Sequence, residues 1–310
     1  MRYKGYLIEK YDNMAGAYTC RRLREEAALR DMDLVQTGVF DLSLMPGNLD
    51  SFDFGECSET EEDREGLCRT GSALVLHHGK VLTPADFVIN RYKTGKIKDS
   101  VNALAGRSYN PLAAFRRYVN KFEQLKNYQS RLIPVPDSVL VQKAAPFEEM
   151  ISIVGCPFVA KGLESSMGQE IFLISTPEEW EEVCRKWPGD KEWLCQKQIV
   201  TSYGRDLRLY TIRGEVLGAM VRSASEGFRA NVALGAQVKP YEVTPKLQDF
   251  AAEMYECFGL DFAGIDLLFG PEGLYFCEIN VMPGIEGMET ATGKNVAGAV
   301  MDMILSDLKG

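Results

Sequence analysis

The 310 residues are 45% hydrophobic and 25% charged, enough to bury a core spread over two or three packed units and too apolar for a disordered chain. A formal net charge of -9 provides no positive field to draw in a phosphate backbone, which argues against nucleic acid as a partner. The eight cysteines, at positions 20, 57, 68, 156, 184, 195, 257 and 277, form no C-x-x-C pair, so neither a zinc site nor a disulfide framework is expected. No run approaches about 18 apolar residues, and Arg2, Lys4, Glu9 and Lys10 charge the opening stretch. The expectation is a cytoplasmic protein with neither export signal nor membrane span.

In chain order, Gly5 to Glu9 reads as a strand, Met14 to Arg30 as a proline-free helix, and Leu34 to Phe40 as a second strand. Asp41 to Gly71 is rich in Gly, Ser, Asp and Glu and reads as an exposed connection. Ala73 to Leu76 and Asp86 to Asn90 read as buried strands, and this β-α-β opening predicts a small parallel sheet. His77 and His78 receive no ligand role, because adjacent positions on a strand face opposite ways. From Pro111 the pattern is helical to about Ser130, where Pro134 and Pro136 close it and mark a domain boundary. Strands are expected at Phe158 to Lys161 and Ile171 to Ile174, a helix at Pro177 to Trp187, and strands at Trp193 to Ile199, Asp206 to Ile212 and Glu215 to Val221. Pro245 to Phe258 is helical and ends at Gly259; a strand, a turn, a strand, a Gly-rich loop and a helix at about Asn295 to Leu308 complete the chain.

The most informative stretch is Ala263 to Gly287, AGIDLLFGPEGLYFCEINVMPGIEG, where two apolar strands carry acids inside water-avoiding runs. A carboxylate buried without a partner is costly, so these acids need a cause. Glu278 and Asn280, two apart on one strand, point to the same face. An odd-numbered turn such as Pro271-Glu272-Gly273 sets Asp266 opposite Glu278, so that three oxygen-bearing side chains converge; an even-numbered turn sends Asp266 to the other face. Convergent hard oxygens suit Mg2+, which takes one or two carboxylates and completes its shell with phosphate and water, and so imply nucleotide chemistry. The plainer reading has Asp266 and Glu278 capping strand ends or pairing with arginines.

Lys161 ends a strand and opens the loop GLESSMGQEIFLI, where backbone N–H groups around Ser165, Ser166 and Gly168 can face anionic oxygens. A solvated strand end is the plainer reading of Lys161, as a surface lysine is of Lys121. Asp206 and Arg208 share a strand face in GRDLRLY, and Arg222, Arg229 and Asn231 follow in VRSASEGFRAN. Guanidiniums grip phosphate or carboxylate bidentately, with ordinary ion pairs as the alternative.

The segments QKQIVTSYGRDLRLYTIRGEVLGAMVRSASEGFRAN, AGIDLLF and FCEINVMPGIEGMETATGKNVAG resemble, in order and spacing, the ATP-grasp ligases of the RimK type, amino-acid or peptide ligases typified by glutamate addition to a protein C-terminus. The resemblance runs from about Asn120 onward; upstream it rests on the strand before Arg91 and on the β-α-β character. It implies an α/β fold, α+β in the catalytic half, with a Rossmann-like pre-ATP-grasp domain over 1–115, a small lid subdomain over 116–195 and a metal-binding C-terminal subdomain over 196–310. It implies further that Lys121 and Lys161 contact ATP phosphates beside Ser165, Ser166 and Gly168, and that Gln196, Lys197, Gln198 and Ile199 form the hinge against adenine. Asp206 is then near the ribose, Arg229 near the phosphates, and Arg208, Arg222 and Asn231 at the reaction centre, while Asp266, Glu278 and Asn280 match the family's metal ligands.

The chain departs from the family at Lys197, where Glu is common, at Glu170, where a second glycine is usual, and at Ala233 and Leu234, where a His-Arg pair often stands. The implied cofactors are ATP and Mg2+, with Mn2+ as a substitute, as two metal ions. The implied partners are ATP and a carboxylate and an amine substrate, from among amino acids, peptides and protein termini, joined through an acyl-phosphate, and a homo-oligomer is compatible with the family. The rival readings are a nucleotide-sensing or scaffold protein without turnover, a kinase, and a carboxylate–thiol ligase.

Overall fold

The computed structural model describes residues 2–13, 17–45, 74–92, 95–142, 145–165, 170–186, 190–225, 227 and 236–310. They form two compact units, one of residues 1–116, 284–286 and 295–310, the other of residues 117–283 and 287–294.

The first unit contains β1 (Tyr3–Glu9), α1 (Tyr18–Leu29), β2 (Met32–Gly38), a single turn at Val39–Asp41, β3 (Leu42–Met45), β4 (Leu74–His77), β5 (Lys80–Val81), β6 (Ala85–Asn90), α2 (Lys96–Ala103), β7 (Ala105–Tyr109) and the larger part of α3 (Leu112–Tyr118). A parallel sheet runs in the order β2-β1-β6-β7. Its central strands place Tyr6, Leu7, Ile8, Phe87, Val88 and Ile89 in the core, the continuous apolar pattern of strands covered on both faces. Gly5 is required where it stands, because a Cβ there would strike the Phe87 ring. A second, antiparallel sheet has the order β3-β4-β5.

The second unit contains α4 (Lys121–Asn127), β8 (Ser138–Gln142), α5 (Phe147–Val154), β9 (Phe158–Gly162), β10 (Ile171–Ile174), α6 (Pro177–Lys186), β11 (Glu192–Lys197), a single turn at Val200–Ser202, β12 (Arg205–Ile212), β13 (Glu215–Ser223), β14 (Gln237–Pro240), α7 (Pro245–Phe258), β15 (Phe262–Gly270), β16 (Gly273–Asn280) and all of α8 (Glu286–Thr292) but its first residue. Two antiparallel sheets organise it, β10-β9-β11-β8 and β14-β13-β12-β15-β16. The first closes on a core of Phe158, Trp180 and Trp193, with α6 anchored by the Trp180 indole N–H donating to the Ala145 carbonyl at 3.1 Å. Helix α7 starts on the Thr244 cap with Pro245 in its first turn and stops at Gly259, whose φ of 59° a side chain would strain. The chain ends with α9 (Val296–Lys309), which belongs to the first unit. No helix among the described residues is long and apolar enough to cross a membrane.

Several expectations change. The helix read from Pro111 to Ser130 is two helices, parted where the Asn120 side chain accepts from the N–H groups of Phe122 and Glu123 and starts α4 afresh. The connection read from Asp41 contains β3, whose LSLM pairs with LVLH of β4; residues 46–71, like Met14, Ala73 and Trp187, lie outside the described residues. Strand β11 stops at Lys197, so Gln198 and Ile199 form the link to the next turn. The boundary drawn at 195/196 falls within β11 inside one unit, and α9 is grouped with residues 1–116 rather than with 196–283.

Candidate active site

The register of β15 on β16 decides whether the acids meet. Gly270 pairs with Gly273, so the turn has two residues, Pro271 and Glu272, an even number that by itself would set Asp266 opposite Cys277. A β-bulge between Leu267 and Asp266 absorbs Cys277 as an extra residue, after which Asp266 faces Glu278 and Gly264 faces Asn280. The triplet therefore converges by a different route from the odd-numbered turn expected. The Asn280 amide nitrogen lies 3.3 Å from Asp266 Oδ2 and 3.4 Å from Glu278 Oε1.

Buried arginines answer the acids. Arg208, opposite Asp266 across β12 and β15, grips its carboxylate with Nε and Nη2, and Arg222 Nη2 reaches Asp266 Oδ2 at 2.9 Å. Arg222 also holds Asp206 bidentately, both contacts at 2.7 Å. Pairing with arginines is thus part of what holds Asp266, alongside its convergence with Glu278 and Asn280. Burial alone pushes a carboxyl up, but at Asp266 the two guanidiniums outweigh it and hold the acid below its ordinary range. Asp206 goes the other way: burial lifts it to about 6 despite Arg222, and the Asp266 charge adds to the rise. An Arg208–Asp266–Arg222–Asp206 chain of alternating guanidinium and carboxyl groups results.

Both lysines are buried rather than solvated. Lys161 Nζ donates to Gln196 Oε1 at 2.7 Å and lies 3.5 Å from Cys277 Sγ, while Gln196 donates in turn to Ser138 Oγ at 2.9 Å. Lys121 Nζ donates to the Ser165 carbonyl at 2.7 Å and stands 3.7 Å from Glu278 Oε2. The Lys197 side chain points away to Asp137 at 3.2 Å. Glu170 folds over Gly162, where any Cβ would strike its carboxylate, and pairs with Lys191 at 2.6 Å. Ser166, Gly168, Arg229, Asn231, Ala233 and Leu234 lie outside the described residues.

Three residues that sequence reasoning passed over help to position the site. Gln124 of α4 donates to the Ile279 carbonyl and accepts from the Ile279 N–H, both at 2.9 Å, and so grips β16 between Glu278 and Asn280. Gly264 leaves room for Arg208, whose Nη1 would lie 2.9 Å from a Cβ there. Cys277 is brought beside Lys161 only by the bulge; burial pushes its thiol up to about 11 against the pull of Lys161, so it is protonated. Gln124 is 4% exposed, and a glutamine so buried must have hydrogen-bond partners, but nothing in its local sequence KFEQLKN announces that burial.

The donor set fits a magnesium nucleotide: carboxylate and amide oxygens on one sheet face for a hard cation, and buried cationic groups for phosphate oxygens. Residues 119–304 match the RimK-like ATP-grasp domain. A protein named probable alpha-L-glutamate ligase from Thioalkalivibrio sulfidiphilus is 30% identical over 246 residues, covering 76% of this chain and 81% of that protein. Its namesake from Syntrophotalea carbinolica is 34% identical over 240 residues, covering 74% and 79%. The structure of the ATP-grasp ligase PsnB complexed with minimal precursor, Mg and ADP superposes with a TM-score of 0.65 at 15% identity, over 99% of this chain and 98% of that one, a likeness of fold. With an α/β architecture of the ATP-grasp kind and a family match spanning more than half its length, the chain belongs to the RimK-like ATP-grasp family, the ATP-dependent ligases that join a carboxylate to an amine.

Proposed function

We propose that this chain uses ATP to activate a carboxylate as an acyl-phosphate and passes the acyl group to an amine, with L-glutamate the first amine to test because the relatives are named for its ligation. The observation that carries the reading is the convergence of Asp266, Glu278 and Asn280 with buried Lys121, Lys161, Arg208 and Arg222 in one unit. A carboxylate oxygen of the acid attacks the γ-phosphorus, the bond from that phosphorus to the β,γ-bridging oxygen breaks, and ADP leaves with the electron pair. The amine nitrogen then attacks the acyl carbon, the carbon–oxygen bond to phosphate breaks, and the surplus nitrogen proton passes to water.

Asp266, Glu278 and Asn280 are the residues to hold Mg2+, which when bound neutralises phosphate charge. Lys161 and Lys121 supply ammonium groups to phosphate oxygens at buried positions, where a charge acts more strongly than in water. Arg208 and Arg222 line the reaction centre, and Arg229 and Asn231 are assigned there with them. Because the Lys197 side chain is turned to Asp137, adenine recognition falls to the backbone of Lys197, Gln198 and Ile199 beside Gln196, with Asp206 toward the ribose. Ser165, Ser166 and Gly168 complete the phosphate loop.

The test is ADP release with Mg2+ across a panel of acids and amines. Release that needs both an acid and an amine is expected, with a loss of about 10²-fold or more in kcat for Asp266→Ala and for Glu278→Ala, and no turnover in EDTA. Undiminished turnover in either variant removes the metal assignment, and a phosphorylated acid that accumulates in the presence of amine makes the chain a kinase.

A further inference from the structure

The chain has only two histidines, and both rings meet one carboxylate. His77 ends β4, and His78 with Gly79 makes the two-residue turn into β5. Both turn residues have positive φ, 49° and 78°, as a two-residue hairpin turn of this hand requires. Neighbours on a strand point apart, but the left-handed turn swings His78 back beside His77, with ring centroids 4.4 Å apart. Their Nε2 atoms lie 2.5 Å and 2.7 Å from the same oxygen, Oδ2 of Asp12.

Asp12 is itself held from three sides. Its Oδ1 accepts the Gly38 N–H at 2.5 Å, its own N–H donates to Asp41 Oδ2 at 2.6 Å, and its carbonyl accepts from Gln36 Nε2 at 3.1 Å. Gly38 permits this approach, since a Cβ there would lie 2.3 Å from the Asp12 nitrogen. Asp12 follows the C-terminal end of β1 and Gly38 closes the neighbouring β2, so the carboxylate stands at the carboxyl end of the parallel sheet.

We propose that Asp12, His77 and His78 form a binding site for a zinc-class divalent cation, separate from the oxygen-only site at Asp266. The three donor atoms lie within 4.8 Å of one another, and two imidazoles with one carboxylate make a three-ligand set that leaves a fourth position open. Mg2+ prefers oxygen donors and a nearly octahedral shell, so the two sites select different ions. Donors around a tetrahedral ion with bonds of about 2.0–2.1 Å stand roughly 3.3 Å apart, so the rings must draw back by less than about 1 Å. His78 can do so readily, its side chain being 66% exposed. The Gly38 N–H supplies the outer support that orients a ligating carboxylate.

Because no other histidine exists, the imidazole NMR signals of the full chain report on this site alone. Titration with Zn2+ should move both sets of signals together and saturate at one ion per chain, with a Kd of about 1 μM or tighter by competition with a chromophoric chelator. Excess Mg2+ should leave both unmoved. The double variant His77→Gln, His78→Gln should weaken Zn2+ binding by at least about 100-fold while ADP release continues, and Asp12→Asn should weaken it by roughly 10–100-fold. Imidazole signals unmoved at one equivalent of Zn2+, or undiminished affinity in the double variant, as cysteine thiols would produce, overturns the proposal. Should the double variant fail to fold, the titration of the natural chain decides alone.

Discussion

Asp266 accepts from Arg208, Arg222 and Asn280 and is also the acid proposed to hold a cation, so its stability and its chemistry can be separated by mutation. Arg208→Met leaves a buried carboxylate with one guanidinium and should cost about 3 kcal/mol in urea unfolding. Arg208→Met with Asp266→Leu removes both charges and should regain more than half of that loss, while ADP release stays absent in both. Equal stability of the single variant and the natural chain would mean that Arg222 alone satisfies the acid. Lys98 makes a second prediction. It is fully buried over the Phe115 ring at 3.5 Å, and its ammonium has no hydrogen-bond partner among the described residues. Burial lowers its pKa from 10.5 to about 7. Between those values the unfolded chain binds more protons than the folded one, so stability rises with pH across the window, by at most ~1.4 kcal/mol per pH unit, and falls again as pH drops toward 7. Lys98→Met should flatten this slope in urea midpoints measured across the same window. At this scale the sequence revealed which side chains were too polar for their apolar runs, as at Asp266 and Glu278, because a buried acid demands partners. It did not reveal that His77 and His78 share a face, because that depends on one left-handed backbone angle.

Among the elements, β16 bears two of the three proposed cation ligands, and it is an edge strand whose open side is covered by backbone and side-chain partners rather than another strand. The Pro134 carbonyl accepts the Phe276 N–H at 2.8 Å, and Gln124 pairs with both backbone groups of Ile279. Gln124→Leu leaves two buried backbone groups unsatisfied and should lower stability by about 1–3 kcal/mol. Because Ile279 stands between Glu278 and Asn280, kcat should fall as well, and an unchanged kcat would show that the strand holds its place without α4. Long, strongly patterned elements were legible: β1, α1, β12, β13, α7 and α9 all stand near their expected spans. The elements not foreseen, β3, β5, α2, β7, β8, α5, β14 and α8, are 2 to 8 residues long, too short for periodicity to separate helix from strand or loop. The bulge at Cys277 was hidden for a related reason: one extra residue leaves no trace in composition yet flips the facing of every residue beyond it.

For the whole molecule, the unexpected feature is that the chain's last helix belongs with its first strand and helix. The α9 face of Val296, Ala297, Val300, Met301 and Ile304 is buried, Arg30 grips Asp302 at 2.7 Å and 2.8 Å, and the Tyr3 and Tyr109 hydroxyls donate to Leu308 and Asp307. The Arg30 pair is half in water and worth under about 1 kcal/mol, so Asp302→Ala should change little. Removing residues 295–310 strips apolar cover from α1 and should abolish the cooperative thermal transition of the first unit; a transition kept intact would make α9 dispensable there. The sequence by itself determined the family, the polar triplet on two apolar strands and the open parallel sheet at the start, because each rests on residue types in local order. Tertiary structure alone decided that Asp266 faces Glu278, that the lysines are buried beside them, that two histidines close on Asp12, and that the C-terminal helix completes the first unit. Those outcomes depend on strand register, a turn's handedness and packing between distant segments, which only the assembled chain supplies.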